Sequence, residues 1–261
     1  MKQLPFISCK CITYGRVALL EEAIESFIKQ DYPADKCELI IVNDYPLQEL
    51  FYEHPQVKIY NLNITFGIIG NKENYAVERC QGELIAVWDD DDIAMPNHLQ
   101  NIAKYFKEDT NLLHWERGVF YNNKQISAIG GLGNSGIVYS KEAWYSIGKS
   151  PIENAGGDMS LVVALRDLDT SKVVNAAPPD DEVSWFYCWA HRSYHQSGEG
   201  TDDDSKPNIV IRNSEYIESE RIKGNIPTGS IILQPHWNVD YKQQLKEFME
   251  TLITVNGTEK K

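Results

Sequence analysis

Four consecutive carboxylates, Asp89-Asp90-Asp91-Asp92, directly follow the apolar run Glu83-Leu84-Ile85-Ala86-Val87-Trp88. That run reads as a short buried strand, and a strand ending in four adjacent like charges is electrostatically unfavourable unless a positive charge sits there. Along an extended chain side chains alternate, which sends Asp89 and Asp91 to one side and Asp90 and Asp92 to the other. An Asp-x-Asp pair of this kind can converge on one hard divalent cation, Mg2+ or Mn2+, which keeps open positions for substrate phosphate oxygens. The plainer alternative is a solvated acidic turn. Thr201-Asp202-Asp203-Asp204-Ser205 has that character, because it follows Ser197-Gly198-Glu199-Gly200 with no strand before it and is expected to be an exposed loop.

Carboxylates at a strand end need a scaffold that fixes the strand. Phe6 to Thr13 reads as a strand, followed by the turn Tyr14-Gly15-Arg16 and an amphipathic helix with Leu20, Ala23, Ile24, Phe27 and Ile28 at helical spacing. Glu38-Leu39-Ile40-Ile41-Val42 is a second apolar strand ending at Asn43-Asp44, which closes a β-α-β unit. Val57 to Tyr60 is a third strand, Asn71 to Cys80 a second helix, and Gly82 stops it before the strand that runs into the aspartates. Pro96 is expected in the first turn of a further helix reaching about Lys107. Leu112 to Tyr121, Gln125 to Ile129 and Gly136 to Tyr139 read as shorter strands of an antiparallel region, and Asp158 to Arg166 and Asp240 to Thr251 as helices. Strands alternating with helices predict an α/β fold with a mostly parallel sheet, in which ligands bind beyond the carboxyl ends of the strands. Asp44 and the Asp89 run lie at such ends.

The composition narrows the function classes. A chain of 261 residues, 42% hydrophobic and 11% aromatic, can bury one large core, with or without an appendage, and contains no apolar stretch long enough to span a membrane. Met1 to Phe6 holds one Lys and passes straight into a strand, so no signal peptide is read and a cytoplasmic location is expected. A formal charge of −13 argues against nucleic acid or an anionic membrane as partner. Cys9, Cys11, Cys37, Cys80 and Cys188 form no CxxC pair and an odd count, which predicts reduced core thiols, Cys9 and Cys11 sharing one strand face.

Ile12-Thr13-Tyr14-Gly15-Arg16, Ile40-Ile41-Val42-Asn43-Asp44, Gly70-Asn71-Lys72-Glu73-Asn74-Tyr75-Ala76 and the segment from Gly82 to Asp92 resemble, in that order, the family 2 nucleotide-sugar glycosyltransferases of the GT-A fold. The resemblance covers roughly residues 5 to 200. It implies a Rossmann-like, mostly parallel central sheet with flanking helices and a smaller antiparallel acceptor-side region. It divides the chain into residues 1–214, with a nucleotide-binding half over about 1–100 and an acceptor and catalytic half over about 101–214, and a C-terminal extension over 215–261 that ends in a helix. It further implies donor contacts from Thr13, Tyr14, Arg16, Asp44, Lys72, Asn74, Asp89 and Asp90, and a Mn2+ or Mg2+ ion on Asp91 and Asp89, completed by His195 rather than His191. Gly133-Asn134-Ser135-Gly136 resembles the region lining the acceptor pocket. Asp158, in Gly156-Gly157-Asp158-Met159, matches the family's general base, with Gly157 where the family has Glu; Glu73 likewise stands where the family has a basic residue.

The activity implied is inverting transfer of a sugar from a nucleoside-diphosphate donor, by expectation a UDP-sugar, to an acceptor hydroxyl. Bland readings remain beside it: Asp44 as a turn residue, Lys72 as a solvated helix residue, Asp158 as a helix N-terminal carboxylate. Two other classes stay open. One is an inactive nucleotide- or carbohydrate-binding module of the same fold. The other is a sugar-phosphate nucleotidyltransferase, although Thr13-Tyr14-Gly15-Arg16 lacks the glycine-rich basic loop of that class.

Overall fold

The computed structural model describes residues 3–122, 124–153, 157–189 and 209–258. His191, His195, Gly156 and the Thr201–Ser205 run lie outside the described residues. The first half runs β1 (Ile7–Thr13), α1 (Val17–Ile28), β2 (Cys37–Asn43), β3 (Gln48–Phe51), β4 (Val57–Asn61), α2 (Ile69–Arg79), β5 (Leu84–Val87) and β6 (Ile93–Ala94). It continues with α3 (His98–Tyr105), β7 (Leu112–Trp115), β8 (Gly118–Asn122), β9 (Gln125–Gly130), β10 (Val138–Ser140), α4 (Lys141–Ser146), α5 (Gly157–Leu168), β11 (Val173–Ala176) and β12 (Trp185–Trp189). The chain closes with α6 (Ile209–Ile222), β13 (Gly229–Ile232) and α7 (Tyr241–Thr258).

Seven strands form the central sheet in the order β11-β7-β10-β5-β1-β2-β4. All its pairings are parallel except those of β10, which runs antiparallel to both β5 and β7. Side-chain alternation explains its two covered faces. Ile7, Cys9 and Cys11 of β1 join Leu39, Ile41, Leu84 and Ala86 under Leu20, Ala23, Ile24 and Phe27 of α1 and Leu99 and Ile102 of α3. Ile40, Ile85, Leu112 and Tyr139 face the other way, toward Val77 of α2, Trp144 of α4 and Leu161, Val162 and Leu165 of α5. A sheet buried on both sides favours apolar strands, as the Leu39-Ile40-Ile41-Val42 run of β2 shows, whereas β1 buries Ser8 and Lys10 among its apolar residues. All five cysteines are buried and free, as the sequence predicts.

Two expectations change. The strands between Leu112 and Tyr139 do not stay together: β7 and β10 complete the central sheet, while β8 and β9 form an antiparallel hairpin in a second sheet of order β6-β12-β8-β9. Pro96 sits ahead of α3 rather than in its first turn, with Asn97 as the N-cap. Its carbonyl accepts from Asp31 N at 2.8 Å, tying the end of α1's loop to the start of α3.

The sheet also carries buried charge. Glu38 on β2 accepts from Ser8 Oγ at 2.7 Å, Lys58 Nζ at 2.8 Å and Gln81 N at 2.5 Å, so its carboxylate joins β1, β4 and the turn after α2. Satisfied in this way, a carboxylate in the interior is tolerated; with its partners removed it would not be.

The C-terminal residues fold back onto the first half. β13 pairs in parallel with β3, and Gln48 Nε2 donates to Pro227 O at 2.7 Å. On α1, Glu22 is 1% exposed and accepts from Tyr241 Oη at 2.7 Å and from the Asn238 side-chain amide, while Trp237 Nε1 donates to Ser26 Oγ at 3.0 Å. Glu22 and Ser26 are therefore polar residues on an outer helix face that the extension covers. Ile217 of α6 packs with Tyr45, Ile226 and Tyr14. The expected consequence is that Glu22→Ala strands the buried Tyr241 hydroxyl, releases the Asn238 amide and lowers stability in urea by about 1–3 kcal/mol, with faster tryptic cleavage after Lys242 and Lys246. An unchanged unfolding midpoint would show that the extension is not held through Glu22.

Candidate active site

β5 ends at Val87, and Trp88 N donates to Lys10 O at 2.9 Å, carrying the pairing with β1 one residue further. The chain then reverses toward β6, with Asp92 N donating to Asp89 O at 3.4 Å. The aspartates thus form a tight turn, not the extended alternating segment the sequence suggested. The reason is topological: β6 belongs to the second sheet, and the chain must leave the central sheet within these four residues. A turn places neighbouring side chains together, and Asp90 and Asp91 both meet Arg16. Arg16 Nε donates to Asp90 Oδ2 at 2.9 Å, Nη2 to Asp90 Oδ1, and Nη1 to Asp91 Oδ2 at 3.0 Å.

Asp92 is bound differently. It accepts from Ser135 Oγ at 2.9 Å, Trp185 Nε1 at 3.0 Å and Cys188 N at 2.7 Å. Three fixed donors anchor it to β12 and to the Gly133–Gly136 loop. Gly136 takes φ +62°, and a Cβ there would stand 2.9 Å from the Trp185 ring, so only glycine lets the loop approach. On the other side of the turn, Trp88 donates its indole N–H to Ala23 O at 3.0 Å and packs edge-on against Phe27, His98 and Trp185. His98 is buried among these rings, and burial pushes its imidazole down to about 3, so it is neutral. Aromatic packing holds both ends of the turn.

Charge in the turn is only partly balanced. Burial opposes the charge on Arg16, but Asp90 and Asp91 more than offset this and keep the guanidinium protonated. Burial and then Asp91 push Asp89 up to about 7, with Lys10 pulling the other way. Burial, Asp91 and Asp89 raise Asp92, against the Cys188 amide and the Ser135 hydroxyl. Lys10 is 2% exposed and pairs with Glu73 at 2.7 Å; burial alone would lower it, but Glu73 and Asp89 raise it. This pair accounts for Glu73, the residue that departs from the basic family pattern: the positive charge comes from β1 instead, underneath the turn.

The other predicted residues divide into two groups. Lys72 is 5% exposed, not a solvated helix residue; its Nζ donates to Thr13 O at 2.7 Å and to Asp44 Oδ1, and burial lowers it despite Asp44. Asp44 also accepts from Phe66 N at 2.9 Å, and Tyr14 stacks edge-on with Tyr45 at 4.9 Å. Thr13, Tyr14, Arg16, Asp44 and Lys72 are therefore gathered with the aspartates at the carboxyl ends of β1, β2 and β5. Asn74 uses its amide in both directions on the backbone of Ser150, at 3.0 and 2.8 Å, and so fixes the loop before α5. Asp158 lies exposed in the first turn of α5. On β12, burial raises the Tyr187 phenol first, and then Asp92, Asp91, Asp89 and Asp158 raise it further. Sequence reading missed Lys10, Trp185 and Tyr187. A lysine inside an otherwise apolar strand was a usable signal for the first; the aromatic pair carried none.

Among the described residues, no group of three or more His, Cys, Asp or Glu side chains is arranged to hold a metal ion. Asp89 and Asp91 nevertheless fit a hard cation that takes its remaining ligands from phosphate oxygens, because they are oxygen donors and the turn holds more carboxylate than Arg16 neutralises.

Residues 10–128 match the family model described as Glycosyl transferase family 2. The chain is 34% identical over 103 residues to a Bacillus subtilis protein named Uncharacterized glycosyltransferase YwdF, covering 38% of this chain and 37% of that one. It is 26% identical over 102 residues to the Staphylococcus aureus poly(ribitol-phosphate) beta-N-acetylglucosaminyltransferase TarS, covering 37% and 18%. The matched stretch thus spans little more than a third of the first of these relatives and less than a fifth of the second. Among solved structures, S. aureus TarS 1-349 in complex with UDP-GlcNAc aligns with a TM-score of 0.60 at 15% identity, over 93% of this chain and 71% of that one. The mannosyltransferase PcManGT from Pyrobaculum calidifontis, in complex with GDP-Man and Mn2+, aligns at 0.55 and 14% identity, over 86% and 73%. At such identity the likeness is one of fold.

The frustration at Asp89 has a measurable sign. Its folded value of about 7 lies above the ordinary 3.8, so between those pH values the folded protein holds a proton that the unfolded chain releases. Stability from this group is fully present below the lower value and is lost as pH rises through the upper one. In metal-free buffer, Asp89→Asn should therefore melt higher than the wild type at pH 8, with the gap closing toward pH 4. A gap that does not narrow on acidification would contradict the charge account.

Proposed function

We propose, with residues 10–128 as a glycosyl transferase family 2 segment on a GT-A fold, that the protein transfers a sugar from a nucleoside-diphosphate donor to an acceptor hydroxyl with inversion at the anomeric carbon. A UDP-sugar is the donor proposed, in line with the UDP-GlcNAc held by the TarS neighbour. The observation that carries this reading is the aspartate turn at the end of β5, where two of four adjacent carboxylates, Asp90 and Asp91, share one guanidinium beside the Asp44–Lys72 pair.

In this reading Asp44, steadied by Lys72 and the Phe66 amide, accepts hydrogen bonds from the nucleoside. Tyr14 offers a ring face beside it, and Thr13 is fixed through its carbonyl by Lys72. Asp91 and Asp89, with His195, are the proposed ligands for Mn2+ or Mg2+, whose chemistry when bound is to offset charge developing on the departing diphosphate. Asp90 holds Arg16 in place, and Arg16 lends positive charge to the diphosphate in a chain that is otherwise strongly acidic. Asp158 takes the proton of the acceptor hydroxyl as that oxygen bonds to the anomeric carbon and the bond from that carbon to the diphosphate oxygen breaks. With Asp158 as the base and no second carboxylate assigned as nucleophile among the described residues, inversion is favoured over retention. Residues 1–214 form the proposed transferase unit and 215–261 the C-terminal extension, in which Gly229–Ile232 pairs with β3 and Trp237, Asn238 and Tyr241 hold α1.

Three measurements test the proposal. Calorimetric titration with UDP, GDP, CDP and dTDP, each with and without Mn2+, should show metal-dependent binding of one diphosphate, and UDP is expected. Asp91→Asn should abolish that binding without lowering the melting temperature, and retained affinity would remove the metal assignment. Asp158→Asn should bind donor normally and lose transfer by at least about 10²-fold. If transfer is absent from the wild type across UDP-sugars although UDP binds, the inactive-module reading, to which Gly157 points, takes its place.

A further inference from the structure

Arg16 bridges two carboxylates of the aspartate turn, Asp90 and Asp91. Its backbone is fixed as the N-cap of α1, its carbonyl accepting from Leu19 N at 3.1 Å and Leu20 N at 3.0 Å. The side chain is 21% exposed, whereas those of Asp90 and Asp91 are 1% and 7% exposed. The guanidinium engages its two partners unequally. Asp90 takes two parallel N–H bonds, the strong fork geometry of an arginine-carboxylate pair, while Asp91 takes one. The two neighbouring lysines are committed elsewhere and more deeply buried, Lys10 to Glu73 and Lys72 to Asp44 and the Thr13 carbonyl. Withdrawing Lys10 breaks its pair with Glu73, and withdrawing Lys72 strands the buried carboxylate of Asp44.

We infer that Arg16 is the resident counter-ion of the aspartate turn, exchanged at Asp91 for a divalent cation while its fork on Asp90 persists. The inference rests on the proposed metal role of Asp91. The exchange releases Nη1, and the freed edge of the guanidinium then faces the site with hydrogen-bond donors for a diphosphate oxygen. Cation and diphosphate binding are thereby coupled through one side chain. A cation arriving alone must displace Nη1 with no compensating partner for it, whereas a cation arriving with diphosphate supplies that partner. Linkage makes the coupling reciprocal. The turn is thus kept neutral enough to fold without metal, yet closes fully only around metal and diphosphate together.

The test is Mn2+ binding without nucleotide, followed by paramagnetic resonance of the free ion, for the wild type, Arg16→Gln and Arg16→Lys, repeated with saturating UDP. With its competitor removed, Arg16→Gln should bind Mn2+ alone at least about fivefold more tightly than the wild type, the lower end of ordinary coupling between sites. Its affinity for UDP in the presence of Mn2+ should fall, so the two effects have opposite signs. A purely structural loss would weaken both. Unchanged or weaker binding of Mn2+ alone to a folded Arg16→Gln protein overturns the exchange. If that variant does not fold, Arg16→Lys decides: its single amine cannot span both carboxylates, so Mn2+ alone must bind it more tightly than the wild type, and equal affinity overturns the inference. Failure of Mn2+ to bind the wild type at all, with or without UDP, removes the metal reading itself. Wild-type binding that is lost in Asp91→Asn but unaltered in Arg16→Gln removes only the exchange.

Discussion

Repulsion among four adjacent carboxylates is the constraint around which the rest of this molecule is organised. Two unit charges about 4 Å apart interact by roughly 4 kcal/mol near a protein surface, far more than an exposed ion pair contributes. The fold answers each aspartate separately. Arg16 takes Asp90 and shares Asp91, three fixed donors take Asp92, and Asp89 is left protonating near neutral pH with Lys10 below it. The proposed chemistry is the use of what remains unneutralised.

That arrangement needs rigid walls. Trp88 and Trp185 meet edge to face at 5.6 Å, with His98 kept neutral between them and Trp115, so the end of β5 and the neighbouring β12 are locked together by packing. Beneath it, β1 carries Lys10 and its partner Glu73 through an otherwise apolar layer, and Glu38 ties three strands from the far end of the sheet. These buried ions are each fully paired, which is why they can sit in a core at all. The C-terminal residues add a second restraint, since Glu22 and Ile217 fasten them to α1 and to the Tyr14–Tyr45 pair at the proposed nucleoside side.

Much of this was legible in the chain. The strand, helix, strand pattern from Phe6 to Val42 pointed to the parallel sheet because strands covered on both faces are mostly apolar, and the helix between them is apolar at one position in three or four. The approach of an apolar strand to Asp89 marked the site, in contrast to the acidic run Thr201–Ser205, which follows Ser197-Gly198-Glu199-Gly200. Reading stopped where contacts join distant segments. Asn74 and Lys72 look alike as polar residues of one helix, yet one clamps a loop 76 residues away and the other reaches Asp44 and the Thr13 carbonyl. No periodicity distinguishes them.

The sequence by itself determined the α/β architecture, the order of the motifs and the identity of the carboxylates, because local hydrophobic pattern and residue type are sufficient for these. Only the tertiary structure decided how the aspartates are oriented. The need to pass from the central sheet to β6 in four residues bends them into a turn, so that adjacent rather than alternate carboxylates converge on Arg16. It likewise decided that Glu73 answers Lys10 and that Glu22 receives Asn238 and Tyr241, partners 63, 216 and 219 residues apart. Polar groups so distant along the chain can be matched only by the fold, because nothing in the local sequence brings them within hydrogen-bond reach.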